Sequence, residues 1–176
     1  MKLKGKHWLK QALLATALLG SPLAMAQAQV GEKAPDFQLV TLQGQTLDLK
    51  SNLGKRPVYL KFWATWCSYC LEEMPHLEAA KKRYGDQLAV LAINVGLNDN
   101  LQNVQQLFRE NGYTLPVAMD QQGRVTALYE VIGTPSHILI DKDGEVRYRT
   151  HLVSDELDVQ LKQLVEEPFK FQAEDQ

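Results

Sequence analysis

Cys67 and Cys70 are the only cysteines of the chain, and two residues separate them. They follow a β-rich run and open a segment of helical composition, so we expect them at the N-terminus of a helix. Free N–H groups and the helix dipole stabilise a thiolate there, which lowers a thiol pKa from ~8.5 to about 3.5–7.5. Cys67 can then attack a disulfide of another molecule, and Cys70 can resolve the mixed disulfide. The pair therefore indicates thiol–disulfide exchange.

Three other uses of two such cysteines are weighed against exchange. A zinc site needs four ligands, and beyond His76 no second pair of cysteines or histidines follows at metal-ligand spacing. A purely structural disulfide would close a very short loop and restrict the unfolded chain little. Two thiolates suit Cu(I), but the chain has no methionine-rich tract, and Met74 and Met119 fit a core. A Cu(I)-binding carrier is kept as an alternative function.

Length and composition indicate one soluble domain behind an export signal. The 176 residues are 45% hydrophobic and 23% charged, which is ordinary for a globular protein. Four lysines and no acid lie in residues 1–26, which leaves 15 basic and 21 acidic residues beyond. This acidic remainder argues against binding to nucleic acid through phosphate contacts.

The first 26 residues have the layout of a cleaved signal peptide. A basic start is followed by an apolar run at residues 12–19 and by the small residues Ala24 and Ala26. The run is shorter than the ~20 apolar residues of a spanning helix, which disfavours an uncleaved anchor. We expect cleavage after Ala26, with Ala28 as a second possibility, and one domain over residues 27–176. Such export indicates the periplasm, which is an oxidising compartment.

Beyond the signal, strand-like and helix-like segments alternate along the chain. A small hairpin is predicted at residues 37–40 and 45–49, and Pro75 is expected to kink the first helix. The other predicted strands are residues 57–63, 88–95, 116–119, 136–140 and 145–149, and the predicted helices are residues 68–84, 100–111, 122–131 and 154–165. This order predicts an α/β sandwich around a mixed sheet.

Several motifs resemble the exported thioredoxin-like family of TlpA, ResA and the cytochrome-c-maturation thioredoxins. They are FWATWCSYC at residues 62–70, Gly-Thr-Pro at 133–135, APDFQL at 34–39 and ILIDKDGEV at 138–146. The resemblance covers residues 30–166. It implies a thioredoxin-like fold in which a mixed central sheet is flanked by helices, with an N-terminal β-hairpin extension.

The resemblance also implies roles for individual residues. Cys67 matches an exposed nucleophile and Cys70 a buried resolving cysteine, with Trp66 flanking the nucleophile. Pro135 matches a cis-proline that faces the disulfide and holds the backbone of Thr134 out for an incoming strand. In this family an acid at the position of Glu73 tunes the cysteines or relays protons to them, although a solvated helix acid is an equal alternative.

Lys61 departs from the family pattern, because thioredoxins proper have a buried aspartate at this place. A buried lysine is costly unless it is paired. We expect Lys61 to pair with Glu73 or to lie close enough to Cys70 to stabilise its thiolate. Alternatively, the stem is buried and the amine reaches water. His137 lies one strand step from the site and can titrate near neutrality, or it can simply pack in the core.

The sequence thus predicts an exported enzyme, a thiol–disulfide oxidoreductase that needs no cofactor or metal. By resemblance it is a monomeric reductant of protein disulfides, supplied with electrons by a membrane disulfide-electron transporter. An oxidising disulfide donor is the alternative direction. A peroxidase is disfavoured because peroxiredoxins place Pro and Thr seven and three residues before the reactive cysteine, where this chain has Leu60 and Ala64.

Overall fold

The computed structural model describes residues 28–166 of the chain. The predicted signal peptide at residues 1–26 and the polar end at residues 172–176 lie outside the described residues. No helix within residues 28–166 combines the length and the apolar character that crossing a membrane requires.

Seven strands and five α-helices alternate along the described part of the chain. The strands are β1 (Gln38–Val40), β2 (Thr46–Asp48), β3 (Val58–Trp63), β4 (Ala89–Asn94), β5 (Val117–Met119), β6 (Ser136–Ile140) and β7 (Val146–Thr150). The helices are α1 (Ser68–Glu72), α2 (Met74–Tyr84), α3 (Leu101–Asn111), α4 (Arg124–Leu128) and α5 (Asp155–Glu166), and a short 3-10 turn spans Gly85–Gln87.

The central sheet has the strand order β5-β4-β3-β6-β7, and β1 and β2 form a separate antiparallel pair. In it β3 runs parallel to β4 and antiparallel to β6. All six residues of β3 are buried, as expected for a central strand covered on both faces. The predicted mixed sheet and N-terminal hairpin are therefore confirmed.

The register of β3 and β6 brings together one set of polar side chains. Lys61 lies directly opposite His137, and Tyr59 precedes Lys61 by two residues on the same strand. Because side chains alternate between the two faces of a sheet, all three lie on the same face.

Two helices differ from their predicted extents. The segment predicted as one helix over residues 68–84 is divided at Glu73 into α1 and α2. Pro75 has no N–H to donate to a carbonyl four residues earlier, which explains the division and agrees with the expected kink. The helix predicted over residues 122–131 is reduced to α4, because the left-handed conformation of Gly123 lies outside it on one side and that of Glu130 on the other.

Candidate active site

Cys67 lies between β3 and α1 and is the N-cap residue of α1. Its Sγ accepts a hydrogen bond from the N–H of Cys70 at 3.2 Å, and the two sulfurs form a disulfide of 2.10 Å. The predicted placement at a helix N-terminus is confirmed, and the N–H of Cys70 points at the sulfur that would carry negative charge after reduction.

The two cysteines differ in how much of each residue reaches solvent. Cys67 is 7% exposed and Cys70 is fully buried, so Cys67 is the more accessible of the two cysteines, as expected. It is nevertheless less exposed to solvent than the resemblance implies. Trp66 and Tyr69, which flank them, are more than half exposed. An attacking sulfur from another molecule therefore meets Cys67 first, beside two exposed aromatic rings.

Lys61 is completely buried beside the resolving cysteine. Its ammonium donates to the carbonyl oxygen of Cys70 at 3.1 Å and to Oε2 of Glu73 at 3.2 Å. The expected ion pair with Glu73 is thus confirmed, and the alternative in which the amine reaches water is wrong. Burial lowers the pKa of Lys61 to about 8, although the carboxylate of Glu73 opposes this shift.

Glu73 lies at the junction of α1 and α2 and accepts three hydrogen bonds. Its Oε2 accepts from Lys61 and from Nε2 of His137 at 3.0 Å, and its Oε1 accepts from the N–H of Val153 at 2.8 Å. Burial alone would raise the pKa of Glu73, but the contacts with His137, Val153 and Lys61 outweigh it and lower the pKa to about 2. The carboxyl group is therefore ionised at neutral pH, and it is not a solvated helix acid.

His137 extends this group of hydrogen bonds to Tyr59. The ring is fully buried, and its Nδ1 lies 2.8 Å from the hydroxyl of Tyr59. Burial lowers the pKa of His137, and the charges of Lys61 and His76 lower it further, while Glu73 opposes the shift. Sequence reasoning left His137 between packing and function and missed Tyr59, although the period of two along β3 places Tyr59 on the face of Lys61.

The Thr134–Pro135 peptide bond is cis, as the resemblance implied. The backbone of residues 132–134 forms no hydrogen bond with another described residue, so its donors and acceptors are free at the surface. The side-chain Oγ1 of Thr134 is buried and has no partner among residues 28–166.

A groove of about 470 Å³ runs between Trp66 and this free backbone. Trp66 lies on one of its walls, where Nε1 donates to the carbonyl oxygen of Leu97 at 2.7 Å. The side chains that line the groove carry no charge: Trp66, Val95, Leu97, Asn98, Gln121, Gln122, Thr126, Val131, Ile132 and Thr134, with three glycines. Ile132 is 95% exposed beside Gly133.

Asp99 holds the wall of the groove against the segment that leads to Cys67. Its carboxylate accepts from the N–H and the hydroxyl of Thr65 at 2.7 and 2.8 Å, and from the amide of Asn94 at 2.7 Å. Sequence reasoning missed Asp99, because Thr65 lies 34 residues away and nothing in the local sequence links them.

The two positions that would serve peroxide chemistry are apolar and inaccessible. Leu60 and Ala64 are both fully buried. Neither side chain can donate a hydrogen bond to a peroxide oxygen beside Cys67.

Comparison with known proteins connects this geometry to a family. Residues 30–149 match the model of the AhpC/TSA family. The chain is 38% identical over 120 residues to the thioredoxin-like protein YneN of Bacillus subtilis, covering 68% of this chain and 69% of that protein. It is 40% identical over 119 residues to the thiol-disulfide oxidoreductase ResA of Geobacillus kaustophilus, covering 67% of each.

A solved structure agrees with these relatives. The structure assigned to a thiol:disulfide interchange protein, DsbE, of Chlorobium tepidum matches with a TM-score of 0.70 at 28% identity. The match covers 78% of this chain and 98% of that one.

Proposed function

Because this chain belongs to the AhpC/TSA family and is a thiol–disulfide oxidoreductase of the ResA and DsbE type, we propose that it works in the periplasm as a reductant of protein disulfides. The observation that carries the proposal is the Cys67–Cys70 pair at the start of α1, with Cys67 the more accessible sulfur.

The reaction proceeds in two exchanges. The thiolate of Cys67 attacks one sulfur of the substrate disulfide, and the other substrate sulfur leaves as a thiolate that takes up a proton. Cys70 then loses its proton and attacks Sγ of Cys67, which forms the enzyme disulfide and releases the second substrate thiol. Two electrons pass from the enzyme dithiol to the substrate, and the sulfurs carry them without any cofactor.

Lys61 and Glu73 support the step at Cys70. The ammonium of Lys61, bonded to the backbone of Cys70, favours the thiolate that this buried residue must form. Glu73 keeps that ammonium charged, since burial alone would favour the neutral amine. The pair is neutral overall, so it stabilises the reduced enzyme less than a lone cation would, as a reductant requires.

The substrate lies across Trp66 and the Thr134–Pro135 turn. The free backbone of residues 132–134 offers donors and acceptors to an extended polypeptide, which would add to the protein as a short strand. The uncharged groove beside it receives the side chains that flank the substrate cysteine.

Export and electron supply complete the proposal. A cut after Ala26 keeps Ala28, which is fully buried and accepts a hydrogen bond from Arg149, whereas a cut after Ala28 removes it. The mature protein works as a monomer, with neither a metal nor nucleic acid. A membrane disulfide-electron transporter returns it to the dithiol form.

Two measurements test the proposal. The reduced protein is mixed with insulin, and free insulin thiols are counted; we expect each molecule of the parent to release two insulin thiols as its own dithiol becomes the disulfide, and Cys67→Ser to release none. In the source cells, a thiol-reactive mass tag reports the state of the pair at native expression. A mostly reduced pair supports a reductant, whereas a mostly oxidised pair would overturn that direction and leave a disulfide donor.

A further inference from the structure

A continuous path of hydrogen bonds leads from Tyr59 to the backbone of Cys70. It passes from the Tyr59 hydroxyl to His137, from His137 to Glu73, from Glu73 to Lys61, and from Lys61 to the Cys70 carbonyl oxygen. Each distance lies between 2.8 and 3.2 Å. The side chain of Glu73 is 12% exposed, and the other three side chains in the path are completely buried.

The order of donors along this path fixes the form of the histidine. The ionised carboxylate of Glu73 can only accept, so Nε2 of His137 must carry a proton and donate it. A neutral ring then leaves Nδ1 as an acceptor, and the hydroxyl of Tyr59 supplies the proton for that bond. Glu73 thus selects the tautomer of His137, and Tyr59 supplies the donor that this tautomer needs at Nδ1.

We propose that His137, oriented by Tyr59, is a positioning residue for the exchange at Cys70, where it holds the Glu73 carboxylate in place against Lys61. This inference rests on the proposed function, because it concerns the step at the same pair of cysteines. The contacts at the two ends of the path differ: Lys61 reaches Cys70 directly, whereas His137 acts only through Glu73.

Removal of His137 has a defined consequence for each neighbour. Glu73 would keep the Val153 N–H and Lys61 as donors, and burial would then raise its pKa. The carboxylate, no longer held by His137, would be free to turn away from Lys61 and would oppose the effect of burial on the amine less, so that Lys61 would lose its proton at a lower pH. At pH 7 a smaller fraction of the protein would then have a cation beside the backbone of Cys70 when this residue leaves as a thiolate.

The other charged groups that act on this path come from α2 and α5. The charge of His76 lowers the pKa of His137, and that of Asp158 raises the pKa of Tyr59. His76 and Asp158 also bind each other, with Nε2 and Oδ1 at 2.7 Å. A pH profile of the site therefore includes this pair, and each variant below is compared with the parent at the same pH.

The test compares His137→Leu with His137→Gln in the purified mature protein. Leucine removes the donor to Glu73, whereas the amide of glutamine restores an N–H near the position of Nε2. The first readout is the pKa of the Glu73 carboxyl group, which is measured by ¹³C NMR of the oxidised protein. The second is the rate at which dithiothreitol reduces the Cys67–Cys70 disulfide between pH 5 and 9.

We expect the leucine variant to raise the pKa of Glu73 by about one unit or more, since a hydrogen bond to a charged group is lost. Its reduction rate at pH 7 should fall about threefold, because Cys70 is the leaving group in the attack of dithiothreitol on Cys67 and a smaller fraction of Lys61 is charged beside it. The glutamine variant should remain within about twofold of the parent in rate.

Tyr59→Phe supplies a second test that does not depend on the folding of a histidine variant. We expect an intermediate loss of rate, and ¹⁵N NMR should show a changed shift of Nδ1 of His137, which loses its hydrogen bond from Tyr59. Tyr129→Phe is its control, because Tyr129 is also fully buried and donates to the carbonyl oxygen of Pro35 outside this path.

An unchanged Glu73 pKa in His137→Leu, or equal damage in the leucine and glutamine variants, would overturn the inference and leave His137 as packing. The proposed function fails in a different way, through the absence of insulin reduction by the parent. The pKa of Glu73 in the oxidised protein can be measured in either case, so the two failures are distinguishable.

Discussion

Lys61 places a full positive charge inside the protein, where an unpaired ion costs several kcal/mol of stability. The ammonium stays charged because two acceptors bind it, the Glu73 carboxylate and the Cys70 carbonyl oxygen. The lysine therefore occupies the place of the buried aspartate of thioredoxins but has a different chemical role. It contributes a cation beside Cys70, whereas an aspartate contributes a base.

This difference predicts how the reduction rate depends on pH. The pKa of Lys61 is lowered to about 8 by burial, so the amine is charged below that pH and neutral above it. We expect the rate of reduction by dithiothreitol, divided by the fraction of reagent present as thiolate, to decrease as the pH rises through about 8.

Lys61→Met removes the charge but keeps a side chain of similar length. We expect the corrected rate to be about tenfold lower at pH 7 and to lose its decrease near pH 8. Stopped-flow fluorescence of Trp66 measures the rate. Lys82→Met, at an exposed lysine, is the control and should keep the parent profile; the same profile in Lys61→Met would contradict the role of the cation.

At the scale of single residues, the sequence indicated those whose chemistry depends on type and local spacing. Cys67, Cys70 and the Lys61–Glu73 pair belong to this class, because a helix turn or a strand-to-helix junction brings them together. Tyr59 and Asp99 do not. Their roles depend on a strand register and on a loop contact across 34 residues, neither of which is written in the neighbouring sequence.

At the scale of the elements, the loop after β4 packs so closely against its neighbours that its backbone leaves no room for a side chain at Gly96. Gly96 has a φ of +73°, and a Cβ built on it would lie 2.6 Å from the carbonyl oxygen of Asp120. The same loop provides Leu97 to the groove and Asp99 to Thr65. Its position therefore controls both the groove and the segment before Cys67.

Gly96→Ala should consequently destabilise the protein more than its backbone angle alone requires. A left-handed alanine costs roughly 1–2 kcal/mol, and forced contact with backbone adds about 1–3 kcal/mol. Gly44→Ala is the matched control, because its φ is +79° and no atom lies within 4 Å of the added Cβ. Urea unfolding gives both free energies; equal losses would show that the contact with Asp120 is relieved without cost.

Most element boundaries followed from local patterns. The predicted strands agree with β3, β4 and β6 to within one or two residues, and the helix predicted over residues 100–111 agrees with α3. The extents of the first helix and of α4 were overestimated. The helical composition of a segment does not show where its helix begins or ends. Here Pro75 and the left-handed residues Gly123 and Glu130 determine these ends.

For the whole molecule, Glu73 couples the site to acid stability. Its pKa is about 2 in the folded protein, whereas the ordinary value of 4.5 applies in the unfolded chain, so the folded state binds fewer protons between these values. The contribution of Glu73 to stability is present above pH 4.5 and is lost as the pH falls towards 2.

Glu73→Gln should remove this part of the pH dependence. We expect the free energy of unfolding of the parent to decrease more steeply between pH 4.5 and 2 than that of the variant. Urea unfolding at each pH measures it, and Glu72→Gln controls for the loss of one exposed negative charge. Parallel curves for the parent and Glu73→Gln would contradict the assignment of a lowered pKa to Glu73.

The uncharged lining of the groove beside Trp66 has a consequence for how partners arrive. Because the side chains that line it carry no charge, the groove itself adds no field that would accelerate the encounter, and we expect association at roughly 10⁵–10⁶ M⁻¹s⁻¹. Added salt, which screens fields over about 10 Å at 0.1 M, should change this rate little. Selection among partners would then depend on the rate at which each complex dissociates. Tethering a partner nearby would raise its rate of binding more than giving it an opposite charge would.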